Sequence, residues 1–502
     1  MSLEDIRRQR LEKIARLRAS GVEPYAYAYA VTHRAGQVLE WGDAVTAEPG
    51  ERVRVAGRLM SQRAHGKAGF GHLLDASGRL QIYARADQLG PERFAAFLDL
   101  DVGDWVGAEG PVFRTKTGEI TVRVESFELL AKAVRPLPEK WHGLRNPETR
   151  YRQRYVDLFM NPHVRATFRA RAAAISTMRR ELDVRGYLEV ETPILQPLYG
   201  GAFARPFVTH HNALGRDLYL RISNELYLKR LIVGGLERVY EVARDFRNEG
   251  MDRTHNPEFT MLECYEAFSD YHAMMRLTEE LCCACVRAVH GEDRLGYQGE
   301  VLEFAPPWPR ISMVEAVGEA VGEDVSDLDP ERLRAACRRH SIEVRGGAGH
   351  MMDELFGALV QPRLVQPTLV LDYPREISPL ARAKRGAPKL VERFEAMIGG
   401  VELANAFSEQ NDPVAQLRAF EDQMRLREAG DEEAQPLDHD YVRALEYGMP
   451  PTGGLGIGVD RLAMLLTGER GIRDVLLFPQ LRPEEGLEDE EASPAREGAA
   501  ER

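Results

Sequence analysis

The stretch Tyr240-Glu-Val-Ala-Arg-Asp-Phe-Arg-Asn-Glu249, a short polar loop, and then His255-Asn-Pro-Glu-Phe-Thr-Met-Leu-Glu-Cys-Tyr265 decide how this chain is read. Apolar and polar residues alternate on both sides of a glycine-containing loop, which is the pattern of two strands joined as a hairpin. Such a hairpin sets Arg247 and Glu249 opposite Phe259. A guanidinium beside an aromatic face can grip a phosphate and stack a purine. The plainer reading is a salt-bridged surface hairpin.

Further along, Gly453-Gly-Leu-Gly-Ile-Gly-Val-Asp-Arg-Leu462 combines glycines that allow close backbone approach with a helix start carrying Arg461 in its first turn. It is neither a Walker loop nor a dinucleotide fingerprint; a glycine-rich strand packed under a helix is the bland alternative. Upstream, Gly186-Tyr-Leu-Glu-Val-Glu-Thr-Pro193 reads as a helix stop, a short strand and a proline. Long helices near 165–185 and 270–290, and strands near 206–222, 238–246, 257–266, 398–408 and 453–459, do not alternate in a βαβ rhythm. The expectation for 165–482 is therefore an α+β domain, an antiparallel sheet flanked by helices, with a helical insertion near 310–390.

Residues 50–134 read differently. Short alternating segments around Ala76-Ser-Gly78 and Lys116-Thr-Gly118, with one inserted helix at PERFAAFLDL, fit a five-stranded OB-fold β-barrel. An amphipathic, solvated helix with a basic face and a connector carrying Tyr25, Tyr27 and Tyr29 are expected at 1–49. A linker opened by Arg135-Pro-Leu-Pro138 is expected at 135–164, and a disordered acidic tail at 483–502.

The net charge of −13 argues against indiscriminate nucleic-acid binding, but the charge is uneven. The tail holds eight acids against two arginines, whereas residues 135–185 carry twelve Lys/Arg against five acids. A basic strip on an acidic protein suits a polyanion gripped in one place. No apolar run approaches the roughly 20 residues that span a bilayer. The N-terminus lacks the apolar stretch of a secretory signal, and the expected compartment is the cytoplasm, without membrane association. Five cysteines, three of them in the helical Leu281-Cys-Cys-Ala-Cys285, fit packed reduced thiols better than disulfides or a metal site.

The three glycine-marked segments, in their order along the chain, resemble motifs 1, 2 and 3 of class II aminoacyl-tRNA synthetases. Arg150-Tyr-Arg-Gln-Arg-Tyr-Val-Asp-Leu158, Arg221-Ile-Ser-Asn-Glu-Leu-Tyr-Leu-Lys-Arg-Leu231, Phe246-Arg-Asn-Glu-Gly250, His255–Glu263, Glu402-Leu-Ala-Asn-Ala-Phe-Ser-Glu409 and Gly454–Arg461 are similar to the versions found in bacterial lysyl-tRNA synthetases. The match runs over about residues 50–482.

The resemblance implies ATP as substrate, Mg²⁺ as cofactor, L-lysine and tRNA-Lys as partners, and a homodimer formed through motif 1. It implies Arg247 on the α-phosphate, Arg461 on the γ-phosphate of a bent ATP and Phe259 under adenine. Asn248, Glu249, His255, Asn256, Leu403 and Gly458 would complete the nucleotide site, and Glu395 and Glu402 would hold the metal. Those two acids are an odd seven residues apart, so a shared face needs a turn or bulge, which Gly399-Gly400 could supply. For lysine the implied residues are Gly201, Glu225, Glu263, Tyr265, Asn405, Phe407 and Glu409; an ammonium pocket needs carboxylates and no competing cation. In the barrel, Phe70 would stack on an anticodon base, while Arg63, Gln81 and Glu119 would read base edges.

Ser223-Asn224, Ala404, Ala406 and Gln410 depart from the commonest pattern of these relatives. An aspartyl- or asparaginyl-tRNA synthetase is the nearest rival, but its pocket would need Arg or His where the glutamates stand. A protein-lysylating relative would lack the barrel. A non-catalytic tRNA-binding protein would not need Arg247, Glu402 and Arg461.

Overall fold

The computed structural model describes residues 2–138, 144–344, 346–428 and 434–483, so the acidic tail lies outside the described residues apart from Pro483. The chain forms two compact units, Met1–Gly143 and Leu144–Arg502.

In the first unit the strands Arg52–His65, Ala68–Leu74, Arg79–Arg85, Trp105–Arg114, Ile120–Arg123 and Ser126–Ala131 make one closed sheet. Arg52–His65 pairs with two neighbours, and a register slip between Leu59 and Ser61 lets it curl between them. Val55, Leu59, Leu80, Ile82, Val106 and Val122 fill the barrel. There are six strands where five were expected. Gln81–Tyr83 and Val112–Arg114 flank Ile120–Arg123, whereas Ser126–Ala131 pairs back on Trp105–Glu109, so the chain must break at Val124–Glu125 to change neighbours. The inserted helix is likewise two, Ala86–Leu89 and Pro91–Leu98, divided at Gly90.

The helix Leu3–Ala19, expected to be solvated, is docked. Arg10 and Ile14 are buried, and the Arg10 guanidinium donates to the carbonyls of Ala133 and Arg135, both at 3.0 Å. A guanidinium whose donors meet backbone carbonyls can be covered without the penalty of an unpaired buried group.

The second unit is built on an eight-stranded sheet. Its order is Arg310–Ser312, Thr368–Leu371, Arg393–Ile398, Val401–Ser408, Thr452–Gly458, Glu258–Ala267, Arg238–Phe246, Leu188–Glu189. Only the two outermost pairings are parallel; the six central strands are antiparallel, as the irregular helix–strand rhythm implied. The helices Pro162–Val184 and Tyr271–His290 cover one face, where Met178, Leu182, Met274, Leu281 and Cys282 meet Leu262, Leu455 and Ile457. Tyr271–His290 forms where it does because its apolar residues recur every three to four positions. Asp270 caps the first N–H groups and Gly291, at φ +79°, closes the end.

Two expectations change here. The segment 310–390 is helical only in its middle. Met313–Val321, Pro330–Arg339 and Ala348–Leu359 enclose their own core, but the flanking strands Arg310–Ser312 and Thr368–Leu371 extend the main sheet. A four-residue buried strand has no periodicity to read. The second unit also begins well before residue 165. Helices Pro147–Arg152 and Arg154–Met160 belong to it, because the fully buried Arg154 bonds Asp157 at 2.6 Å and the carbonyls of Arg473 and Leu477 at 2.9 and 3.2 Å.

Candidate active site

The hairpin read first from the sequence lies inside the sheet, with Asp245 paired to Phe259 and Phe246 to Glu258. Arg247 leaves the strand end with its N–H on the Pro257 carbonyl at 2.8 Å. Its guanidinium lies over the Phe259 ring, 4.9 Å from the centroid, and its Nε is buried with no hydrogen-bond partner. A guanidinium placed over a ring with an unused N–H is ready for an anion.

Thr452–Gly458 pairs with Glu258–Ala267 on one side and Val401–Ser408 on the other, and the helix Val459–Thr467 follows it. Asp460 accepts the Thr260 N–H at 2.7 Å and pairs with Arg171 of the covering helix, which fixes where its neighbour Arg461 points. Arg461 donates to the Glu402 carbonyl at 2.7 Å, and its Nη2 lies 3.3 Å from His255 Nε2.

Arg247 and Arg461 open onto one cavity of about 360 Å³, which Glu249, His255, Asn256, Phe259, Glu395, Glu402, Leu403 and Gly458 also line. Asn248 is not among the lining residues; it is exposed, with its N–H turned to the Arg205 carbonyl at 2.8 Å.

Glu395 and Glu402 reach the cavity together because the hairpin between them contains both a turn and a slip. Gly399 and Gly400 have φ of +63° and +76°, and the register shifts between Ala396 and Met397. Burial, and then repulsion from Glu402, pushes the Glu395 carboxyl up to about 7, against the pull of Arg393, whose Nη2 lies 2.5 Å from it. Two acids that repel one another across a cavity fit a cation. Among the described residues no group of three or more His, Cys, Asp or Glu could hold a metal alone. Two neighbouring carboxylates fit magnesium, which keeps water and phosphate oxygens around one or two of them.

The other end of the cavity is lined by Gly201, Glu225, Glu263, Tyr265, Asn405 and Phe407. Glu263 accepts hydrogen bonds from Ser223 Oγ and Tyr265 OH, both at 3.1 Å. Burial, and then repulsion from Asp245 and Glu225, holds its carboxyl well above the ordinary value. Ser223, one of the departures noted in the sequence, also accepts the Glu225 backbone N–H at 3.1 Å, so its hydroxyl ties the Glu263 carboxyl to the start of the helix that carries Glu225.

Glu409 does not line the cavity. It is buried just behind the wall, where a β-carbon on Gly454 would overlap its Oε1. That oxygen has no hydrogen-bond partner. Burial pushes the Glu409 carboxyl up to about 8, against the pull of Lys229.

The absence of a competing cation, expected from the sequence, is corrected here. Lys229 Nζ is ion-paired to both Glu225 and Glu409. Glu225 and Lys229 stand one turn apart on the helix Glu225–Val233, on its buried side. Two buried acids with no internal counter-charge would cost several kcal/mol each.

In the first unit, Phe70 stands outside the barrel core, its ring 4.7 Å from Tyr83, which lies 5.9 Å from Phe113. Arg63 covers Phe70 at 5.5 Å and Arg123 covers Phe113 at 4.8 Å. Gln81 donates to Glu119 at 2.5 Å and accepts from Thr121 at 2.9 Å. The result is an aromatic row capped by arginines beside an edge of polar groups, a form that stacks splayed bases.

Comparison with known proteins agrees with this geometry. The family model described as tRNA synthetases class II (D, K and N) matches residues 146–482. The chain belongs to this family. An OB-fold nucleic-acid-binding domain matches residues 53–130 of this class II synthetase. Proteins named lysine–tRNA ligase are similar over nearly its whole length. One from Moorella thermoacetica is 53% identical over 96% of this chain and 98% of its own. One from Roseiflexus castenholzii is 53% identical over 97% and 100%, and one from Carboxydothermus hydrogenoformans 51% over 96% and 99%.

Reading the synthetase from its sequence left out Lys229, Arg393, Tyr83 and Phe113. Lys229 follows Glu225 at helical spacing, and Arg393 precedes Glu395 at the alternation that shares a strand face, so both were readable. Tyr83 and Phe113 join Phe70 only through the barrel register. Among the described residues no helix is long and apolar enough to cross a membrane.

Proposed function

We propose that this class II synthetase is a lysine–tRNA ligase, and the observation that carries the reading is the cavity with two unlike ends. Arginines and a carboxylate pair stand at one end; three glutamates gather at or just behind the other. An aspartate or asparagine side chain would face those acids, and the cations near them are already paired, Lys229 to Glu225 and Glu409 and Arg393 to Glu395.

Lysine bound by its ammonium at the glutamates would present its carboxylate toward Arg247. A carboxylate oxygen bonds to the α-phosphorus of ATP while the bond to the bridging oxygen breaks, and pyrophosphate takes those electrons. Arg247 would stabilise the charge gathering at the α-phosphate, and Arg461 would hold the far phosphates beside His255 and Glu249. Phe259 would stack on adenine, with Asn256, Leu403 and Gly458 around it. Glu395 and Glu402 would hold Mg²⁺, which when bound supplies charge neutralisation for the phosphates. The 3′-terminal adenosine of tRNA-Lys then takes the lysyl group from AMP, while Phe70, with Arg63, Gln81 and Glu119, would read the anticodon.

A homodimer is part of this reading. It is supported by the short edge strand Leu188–Glu189 and by exposed Val184, Leu188, Ile194, Leu195 and Val208 around it. A mass in solution equal to one chain would remove it. Five buried free thiols are consistent with a cytoplasmic enzyme.

The test of the substrate is ATP–pyrophosphate exchange with single amino acids. Exchange with lysine and none with aspartate or asparagine is expected; the reverse pattern would refute the proposal.

A further inference from the structure

Lys229 is a buried cation at the end of a cavity that takes a cation, and adenylate formation does not call for it. Its side chain is 0% exposed. The groups facing it are Glu225 on its own helix, Glu409 just beyond the strand Val401–Ser408, and Tyr441 of the helix His439–Glu446, whose hydroxyl has no partner. Arg230 lies over the outer side of Tyr441, 5.6 Å from its centroid. Glu263 and Tyr265 face Glu225 from the central strand. Lys229 Nζ is 5.9 Å from the Phe407 ring, and that ring lines the cavity. The ammonium therefore sits behind the wall, and Glu225 stands between it and the space where substrate would bind. Glu409 offers its unpaired Oε1 against Gly454, which lines the same space.

We propose that Lys229 is the positioning residue of the amine subsite: by pairing Glu225 and Glu409 from behind, it fixes both carboxyls and favours their charged form for the substrate ammonium. Buried acids left to themselves take up protons, and a protonated pair would attract no ammonium. Lys229 brings one ammonium against three acids, Glu225, Glu263 and Glu409, so pairing with it leaves acid groups to receive a second cation. The inference rests on the lysine–tRNA ligase reading. Burial opposes the Lys229 charge, but Glu225 and Glu409 outweigh it and hold the ammonium above its ordinary value, so it stays charged throughout the working pH range.

The experiment is ATP–pyrophosphate exchange by the full-length chain and its K229M and K229R variants, with KM for lysine and for ATP measured across pH. Wild-type exchange with an amino acid other than lysine would defeat the functional reading itself. Given lysine-dependent exchange, K229M is expected to raise the lysine KM about a hundredfold, with kcat and the ATP KM within about threefold. The acid limb of kcat/KM for lysine moves to higher pH, because Glu409 has lost the charge that favours its ionised form. K229R restores most of both. A lysine KM unchanged in K229M, lysine and ATP KM rising together, or an unmoved acid limb would overturn the proposal. If K229M does not fold, K229R decides. It keeps the charge, so a lysine KM within about tenfold of wild type supports the role and a hundredfold loss refutes it.

Discussion

At the end of the cavity proposed for the nucleotide, Arg247 lies on Phe259 with a buried N–H unused, Arg461 leans on a carbonyl and a histidine, and Glu395 and Glu402 repel each other. At the end proposed for the substrate amine, Glu263 already takes two hydroxyl donors, and Glu225 and Glu409 share Lys229. At the first end the pairing is partial, with Arg393 on Glu395, Arg461 reaching Glu402 at 3.4 Å and an Arg247 N–H unused; at the other the acids are paired from within. The first arrangement suits the triphosphate and metal proposed there, which would bring their own charge. The second suits discrimination, because acids already buried and committed cannot relax around the wrong side chain.

The sharpest way to break this contrast is at Arg247. R247A is expected to lower kcat for lysine-dependent exchange by about a hundred- to a thousandfold, the usual loss of a transition-state donor, and to leave the lysine KM nearly unchanged. A loss carried by the lysine KM would show that the two ends are not separable. E263Q attacks the other end. It keeps the shape and removes the charge, so the lysine KM should rise about a hundredfold while the ATP KM holds; equal rises in both would erase the distinction.

F70A touches neither end. It should raise the KM for tRNA roughly tenfold, the worth of one stacked base, without altering exchange, and an effect on exchange would remove the stacking assignment.

The smallest effect is in pH. Glu409 has a folded-state pKa of about 8, above the ordinary 4.5. The fold therefore disfavours its charged form, and its contribution to stability, full below the unfolded value, is lost as pH rises through about 8. Lysine binding, as proposed, would need the charged form. The gain in melting temperature from added lysine should then be larger at about pH 8.5 than at about pH 6.5, and a gain independent of pH would free Glu409 of any part in binding.

The central hairpin, the glycine-rich strand and the two covering helices were legible because each repeats a period over seven residues or more. Thr368–Leu371 was not, being a short run of buried residues that fits helix or strand equally well. The docking of Leu3–Ala19 depends on carbonyls more than ninety residues away, Val102, Ala133 and Arg135, which no local pattern announces. In the site, residue identity was easier to read than aim. Asn248 and Glu249 are neighbours in one loop, yet only Glu249 lines the cavity. Glu409 belongs to the amine end but stands behind its wall. Lys229 lay in plain view at helical spacing from Glu225, and chemical expectation about an ammonium pocket passed over it.

Gly454 belongs to the glycine-rich segment that leads to Arg461, yet the room it leaves is taken up by an acid from the opposite end of the cavity. Emptiness at a single position thus couples the strand that leads to Arg461 to the end of the cavity proposed to choose the amino acid. A lineage drifting toward another substrate could not fill that space first; it would have to surrender Glu409 before any side chain could grow there.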